Sequence, residues 1–163
     1  MSYKNIKNKK ILKTLLKVSQ DVSSSLDMDR VSDTILKQAR AVLNTDYSAL
    51  FILDDDTKKL ILIGAVGFSG NQVENLKVLG GWEGINVEVV KKAKPIIVND
   101  IGKSHIFRKK KIAFSGGNFP LGSFLAVPLK TEDGIIGVLI VSNHKKRKTR
   151  FGAEDRNLLH PGQ

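Results

Sequence analysis

The 163-residue chain contains no cysteine, and this absence excludes disulfides, thiolate metal sites and cysteine nucleophiles. Apolar runs are short as well, and none approaches the roughly 18 residues of a membrane-spanning helix. The lysine-rich N-terminus also lacks the apolar segment of a secretory signal. Because these absences are typical of a protein in a reducing compartment, we expect a cytoplasmic location and no membrane span.

Catalytic and metal-binding patterns are equally scarce. The histidines at positions 105, 144 and 160 lie in separate segments, so they do not form the paired spacing of a zinc site. The aspartates at 54–56 lack the alternating spacing and distal glutamate of a calcium loop, and we interpret them as a solvated turn. No pattern pairs a nucleophile with a base. The sequence therefore predicts a chain that is not an enzyme, with no metal site and no certain cofactor.

Positive charge is abundant but confined to a few segments. The formal net charge is +11, and residues 1–20, 102–111 and 144–150 together carry 16 basic and no acidic residues, which leaves −5 for the remainder. Aromatic residues do not alternate with these charges as they do on single-strand binding surfaces. We interpret the segments as a solvated terminal helix and two solvated loops, and nucleic-acid binding as the disfavoured alternative.

Helical periodicity dominates the first part of the chain. Residues 5–26 predict an amphipathic helix whose apolar positions step by 4, 3 and 4, a seam suited to pairing with a second helix, at Ile11, Leu15, Val18 and Val22. A second helix is predicted to start at an N-cap formed by Asp27 or Asp29 and to end near Asn44. The division between 1–26 and 27–160 separates a signalling helix from the domain proper.

Strand periodicity follows, with tight turns between neighbouring strands. The predicted strands are 47–53, 60–68, 96–98, 123–130 and 135–143, and the turns at 54–59 and 131–134 join them as antiparallel hairpins. Short helices are predicted at 84–93, before the helix-blocking Pro95, and from about residue 152 to Pro161. Residues 101–122 form a long basic loop. This order predicts an α+β fold, an α/β sandwich with a central antiparallel sheet of five to six strands and helices on both faces.

Three blocks of this sequence stand in the order and spacing of one known family. The first block is the helix pair followed by the hairpin 47–68. The second block runs from Gly84-Ile85 to residues 95–100, where a proline is followed by three apolar residues and Asn-Asp. The third is 123–129, a turn, 136–139 and then Phe151-x-x-x-Asp155. Over roughly residues 15–160 the chain resembles the GAF domain family, which implies a GAF/PAS-like sensory domain.

Two features depart from the family pattern. Val87 and Ala93 stand where the second block usually carries glycine, and β-branched Val87 predicts an uninterrupted helix there. Members that bind cyclic nucleotides carry an Asn-Lys, Phe, Asp-Glu signature, whose matching positions here read Asn143-His144, Phe151 and Asp155-Arg156. The lysine and the glutamate are missing, which disfavours cyclic-nucleotide binding.

The resemblance implies a ligand site between the sheet and a covering segment made of the middle helix and the long loop. We expect the ligand-binding side chains to be those of Phe68, Trp82, Asn99, Asp100, Phe114 and Ser123. Trp82 would offer a stacking plane, Asn99 and Asp100 would orient a polar edge, and the basic residues 109–111 would draw in an anion. The alternative for the aromatic residues is ordinary core packing, and for Asp100 a tie within the loop. Haem on His105, seen in a few family members, is a further alternative.

These expectations lead to a function with two rivals. The first interpretation is a sensory or regulatory domain that binds an unidentified small molecule, forms a homodimer through its helices and controls a downstream effector. The alternative is a ligand-free protein–protein interaction or dimerisation module. A nucleic-acid binder built on the three basic segments is the third.

Overall fold

The structure is a computed structural model that describes residues 25–54, 56–70, 73, 83–101, 121–132, 134–144, 146–147 and 150–159. The predicted N-terminal helix lies outside the described residues except for Ser25 and Leu26. Most of the predicted 101–122 loop also lies outside them, and so does Trp82. No described helix has both the length and the apolar character needed to cross a bilayer.

Three helices and five strands make up the described chain. In chain order they are α1 (Ser25–Leu43), β1 (Tyr47–Leu53), β2 (Leu60–Val66), α2 (Glu83–Lys92), β3 (Ile96–Val98), β4 (Leu121–Thr131), β5 (Gly134–His144) and α3 (Ala153–Leu159).

The strands form one sheet in the order β2-β1-β5-β4-β3, and every neighbouring pair is antiparallel. The predicted hairpins are confirmed. Within the first turn, the Asp54 carboxylate accepts hydrogen bonds from the Thr57 hydroxyl at 2.6 Å and the Thr57 backbone at 3.2 Å. These hydrogen bonds lower the pKa of the Asp54 carboxyl group, and they show that its carboxylate stabilises the turn.

The sheet carries a separate apolar core on each face, because successive side chains of a strand point to opposite sides. One side, here called the α1 face, packs against α1 and α3 through buried residues that include Ile35, Leu36, Leu50, Leu139, Val141 and Leu159. The other side, the α2 face, packs against α2 through Tyr47, Ala49, Phe51, Val89, Val98, Phe124, Ala126, Val138 and Ile140. The prediction of helices on both faces is confirmed.

The two predicted N-caps are wrong. Ser25, Asp27 and Asp29 all lie within α1, which crosses the predicted division between residues 26 and 27 without a break. At its other end the helix closes as expected: Asn44 has a φ of 52°, and the Thr45 backbone N–H donates to the Arg40 carbonyl at 3.1 Å.

Strand β2 is shorter than predicted, and the reason is Gly67. This glycine has a φ of +95°, and a Cβ atom placed there would lie 2.3 Å from the Asp46 carbonyl oxygen, so only glycine fits. The turn takes the chain out of the sheet after Val66 and places Phe68 beyond the strand. Strand β4 begins at Leu121, two residues before its predicted start.

Helix α2 is continuous across Val87, as the β-branched side chain predicts. Ala93 follows the helix with a φ of 52°, the same left-handed conformation that Asn44 adopts after α1. Alanine is a poor residue for this conformation because its Cβ crowds the following carbonyl. The chain thus retains the turn for which the family uses glycine, but without the glycine.

Candidate functional site

The α2 face is the candidate site, and its polar end lies where β1 starts and β5 ends. Tyr47, the first residue of β1, pairs with Ser142 near the end of β5, and Ser142 pairs in turn with Phe124 of β4. Residues paired across antiparallel strands share a face. Ser142 therefore lies between the two aromatic residues on the α2 face.

A stacked aromatic pair borders this end of the face. The rings of Tyr47 and Phe68 lie 4.7 Å apart between centroids with an interplanar angle of 22°. Tyr47 is buried, whereas Phe68 is half-buried. Burial raises the pKa of Tyr47, and the neighbouring Asp46 carboxylate raises it further, so the phenol stays protonated well into the alkaline range.

Ser142 is the unusual polar group of the α2 face. Its side chain is fully buried, at 0% exposure, and within the described part of the chain its hydroxyl has no hydrogen-bond partner. Buried hydroxyl groups are nearly always paired, so an unpaired one at a candidate site is a signal of a missing partner. Ser142 was not among the predicted site residues, because an isolated serine within an apolar strand resembles an ordinary core residue.

The predicted site residues are only partly brought together. Phe68 packs against the α2-face core, and Asp100 lies just beyond β3 and is exposed. Trp82 and Phe114 lie outside the described residues. Their role in ligand binding stays a prediction.

The Asn99 side chain forms structural hydrogen bonds to Phe151, a residue of the α1 face. Its side-chain Nδ2 donates to the Phe151 carbonyl at 3.1 Å, and its Oδ1 accepts from the Phe151 backbone N–H at 2.7 Å. Phe151 belongs to the α1-face core. The Asn99 amide therefore fastens the end of β3 to the segment that leads into α3.

Ser123 also lies away from Phe68. It pairs with Asn143 and precedes Leu125 by two residues, and Leu125 belongs to the α1-face core. Its side chain accordingly points to the α1 side, where its buried hydroxyl has no partner. The strand register therefore does not support the expectation that Ser123 and Phe68 contact the same ligand.

A polar cluster that sequence analysis missed joins the start of β1 to the end of β5. The Asp46 carboxylate accepts from the His144 backbone N–H at 2.8 Å and from the Arg147 guanidinium at 3.1 Å. The Asn143 side-chain oxygen accepts from the Asp46 backbone N–H at 3.1 Å and from the same guanidinium at 3.2 Å. The only signal in the sequence is an acidic residue directly before a strand.

The residues that match the cyclic-nucleotide signature have local structural partners. Asn143 belongs to the polar cluster, and Phe151 is bonded to Asn99. The Asp155 carboxylate accepts from the Gly152 backbone N–H at 2.8 Å, at the start of α3. These three positions together fix the connection from β5 to α3.

The fold defines an α+β sandwich with one sheet between helices, and comparison with known proteins identifies it further. It is similar to the crystal structure of the GAF domain from an Acinetobacter phosphoenolpyruvate-protein phosphotransferase, with a TM-score of 0.67, 19% identity, and coverage of 98% of this chain and 87% of that one. The GAF domain of a phosphoenolpyruvate-protein phosphotransferase from Coxiella burnetii gives a TM-score of 0.67 at 20% identity, covering 96% and 88%.

The sequence places the chain in the same family. The family model described as GAF domain matches residues 25–161, so the chain belongs to the GAF domain family. It is also 28% identical over 148 residues to the Nif-specific regulatory protein of Herbaspirillum seropedicae. That match covers 91% of this chain but only 27% of the relative, so the chain spans about a quarter of that regulatory protein.

Proposed function

We propose that this chain is the sensory domain of a regulatory protein, and that it binds a small molecule on the α2 face and acts as a sensor rather than a catalyst. The observation that carries the proposal is the unpaired, fully buried hydroxyl of Ser142 beside the aromatic residues of that face. A bound ligand would supply the missing partner. The similarity to a regulatory protein supports the same role for this member of the GAF domain family.

The described residues offer a route from this face to the C-terminal helix. Tyr47 stacks on Phe68, and its neighbour Asp46 holds both the His144 backbone and the Arg147 guanidinium. A ligand that moves the Tyr47 ring would displace the start of β1 and with it this anchor. Because Arg147 precedes α3 by a few residues, the two states of the anchor would give two positions of α3.

Dimerisation is the second part of the proposal. The seam predicted at 11–22 would pair two copies, and α1, which crosses the predicted division at residue 26, would carry the effect of this pairing to the sheet. Ligand occupancy would then alter the packing of the paired helices and the state of an attached effector.

Native mass spectrometry of freshly purified protein tests both parts at once. We expect a dimer mass and a bound small molecule that is released on denaturation. A monomer would contradict the dimer proposal. The absence of any bound molecule, together with no change in melting temperature across a screen of metabolites, would contradict the sensor proposal.

A ligand-free interaction module is the second candidate, and one observation favours it. Phe51, Phe124 and Val138 are fully buried at the centre of the α2 face, so the chain's own side chains already fill this part. If this candidate is right, partner binding will depend on the outer helices and will not respond to any metabolite.

The third alternative, nucleic-acid binding, is tested by a salt titration of DNA or RNA binding, because phosphate contacts weaken steeply with salt.

A further inference from the structure

We propose that the α2 face selects an uncharged, flat ligand with a hydrogen-bonding group that Ser142 recognises. This inference rests on the proposed sensor function and adds the chemical class of the ligand. It uses only described residues, chiefly Ser142, Tyr47, Phe68 and the charged groups on neighbouring elements.

The hydroxyl of Ser142 is the specificity-determining group. A buried hydroxyl without a partner destabilises the free protein, because it has lost its hydrogen bonds to water. A ligand atom that pairs with it gains a hydrogen bond in a site from which water is excluded, where such a bond is strong. A ligand of the same shape without that atom leaves the hydroxyl unpaired and binds more weakly.

The other unpaired hydroxyl, on Ser123, does not carry the same inference. It lies opposite Asn143 on the α1 side, beside the polar cluster of Asp46 and Arg147. Ser142 instead has Tyr47 and Phe124 as its cross-strand neighbours and Ile140 two residues before it. Polar groups lie next to Ser123, whereas the neighbours of Ser142 are mainly apolar.

The charged groups near the α2 face argue against an anionic ligand. Glu88 on α2 is bound to Lys92 at 3.5 Å, and Asp100 is exposed just after β3. His144, two residues after Ser142, accepts a hydrogen bond from the Lys146 backbone N–H at Nδ1. Among the described residues, the inner part of this face offers no cation to compensate a buried negative charge. These residues therefore favour a neutral ligand over the anion that residues 109–111 were expected to attract.

The stacked pair accounts for the flat shape. The rings of Tyr47 and Phe68 are close to parallel, so the Tyr47 ring already holds a stacked aromatic partner, which a flat aromatic ligand would replace. Phe68 follows Gly67 beyond the end of β2, and the last described pair of β1 with β2 is Ser48 with Val66. Because Phe68 lies outside these pairs, a ligand that takes its place on the Tyr47 ring would leave the pairing of β1 with β2 intact.

The test uses the full chain and three probes that share one ring. Benzamide is neutral and forms hydrogen bonds, benzoate is its negatively charged equivalent, and toluene is neutral but forms no hydrogen bonds. Protein-observed NMR titrations of the wild type give the three affinities. The variants Ser142→Ala and Ser48→Ala are then titrated in the same way. Ser48 is the matched control, since its buried hydroxyl donates to the Leu36 carbonyl at 3.0 Å on the α1 face.

We expect benzamide to bind more tightly than toluene and benzoate, with shifts centred on the α2 face. Ser142→Ala should weaken benzamide binding about tenfold, the scale of one buried hydrogen bond, and should leave toluene unchanged. Ser48→Ala should change neither affinity.

Two kinds of failure are distinguishable. Tighter binding of benzoate, an unchanged benzamide affinity in Ser142→Ala, or no binding of any probe would overturn the inference. The sensor proposal survives each of these results if native mass spectrometry still detects a bound small molecule. It falls only if the metabolite screen and the mass spectra are also negative.

Discussion

Two buried serines on opposite faces of the sheet, Ser48 and Ser142, differ in whether their hydroxyl groups have a hydrogen-bond partner. Ser48 in β1 points to the α1 face and donates to the Leu36 carbonyl, whereas Ser142 in β5 points to the α2 face and has no partner. The two residues lie on neighbouring strands, because Ser48 pairs with Val141. The same chemical group is thus paired at Ser48 and unpaired at Ser142. The unpaired hydroxyl of Ser123, on the α1 face, differs from both because its residue lies opposite Asn143 of the polar cluster.

The helices that cover the two faces show a parallel difference. Each helix is followed by a residue with a φ of 52°. This residue is Asn44 after α1 and Ala93 after α2. Asparagine tolerates the left-handed conformation far better than alanine. The α1 face therefore has a long helix with a well-suited end, and in the described part of the chain the α2 face has a shorter helix with a strained end. This contrast is what we expect if the α1 face is a stable base and the α2 face is the part that responds.

The largest effect should come from matched truncations on the two faces. Leu36→Ala removes a side chain that is 1% exposed on the α1 face and should lower the free energy of unfolding by about 3 kcal/mol. Leu62→Ala removes a half-buried side chain on the α2 face and should cost about 1 kcal/mol. Urea denaturation measures both, and equal losses would contradict the contrast.

The strained end of α2 should be correctable. Ala93→Gly should raise the free energy of unfolding by about 1 kcal/mol, because glycine adopts a positive φ without crowding. Asn44→Ala makes the opposite change after α1 and should lower it by a similar amount. If Ala93→Gly is destabilising in thermal and urea denaturation, the strain assigned to α2 is wrong.

The polar cluster should contribute less, since its ion pair is partly exposed. Side-chain exposure is 31% for Arg147 and 35% for Asp46, so water screens their attraction. Asp46→Asn should lower the free energy of unfolding by about 0.5–1 kcal/mol. The loss should shrink in high salt, and a loss that does not depend on salt would show that the charge is irrelevant.

The smallest effect concerns the ionisation of Tyr47. Because burial raises its pKa in the folded state, the folded protein holds this proton more tightly than the unfolded chain does. Its contribution to stability is therefore complete below the ordinary tyrosine pKa of about 10 and is lost as the pH rises above it. Tyr47→Phe should flatten this alkaline decline.

Ultraviolet absorbance provides an independent check of the tyrosine. The chain has two tyrosines, so the variant Tyr3→Phe leaves Tyr47 as the only one that titrates. A pKa at or below the ordinary value would contradict the burial of its phenol on the α2 face.

The sequence predicts the sheet well because its pattern is local. Strand β1 has its predicted bounds, 47–53, since alternating apolar residues and a polar turn specify it. The antiparallel pairing also follows from the tight turns that join neighbouring strands.

The candidate site is less predictable because its contacts join distant parts of the chain. Asn99 bonds to Phe151 across 52 positions, and Asp46 bonds to Arg147 across 101. Sequence analysis assigned Asn99 to the ligand and left Asp46 unassigned, since neither partner can be read from local pattern. Ser123 shows a second limit: alternation places it on the same side as Leu125, but the sequence does not tell which side of the sheet faces α1.

The central claim is that the buried hydroxyl of Ser142 on the α2 face lacks a partner, whereas that of Ser48 on the α1 face already has one. Urea denaturation of Ser142→Ala and Ser48→Ala in the ligand-free protein tests it most directly. We predict changes of opposite sign, a gain of about 1 kcal/mol for Ser142→Ala and a loss of about 1 kcal/mol for Ser48→Ala. A loss in both variants would mean that the Ser142 hydroxyl is already satisfied, and it would contradict the account.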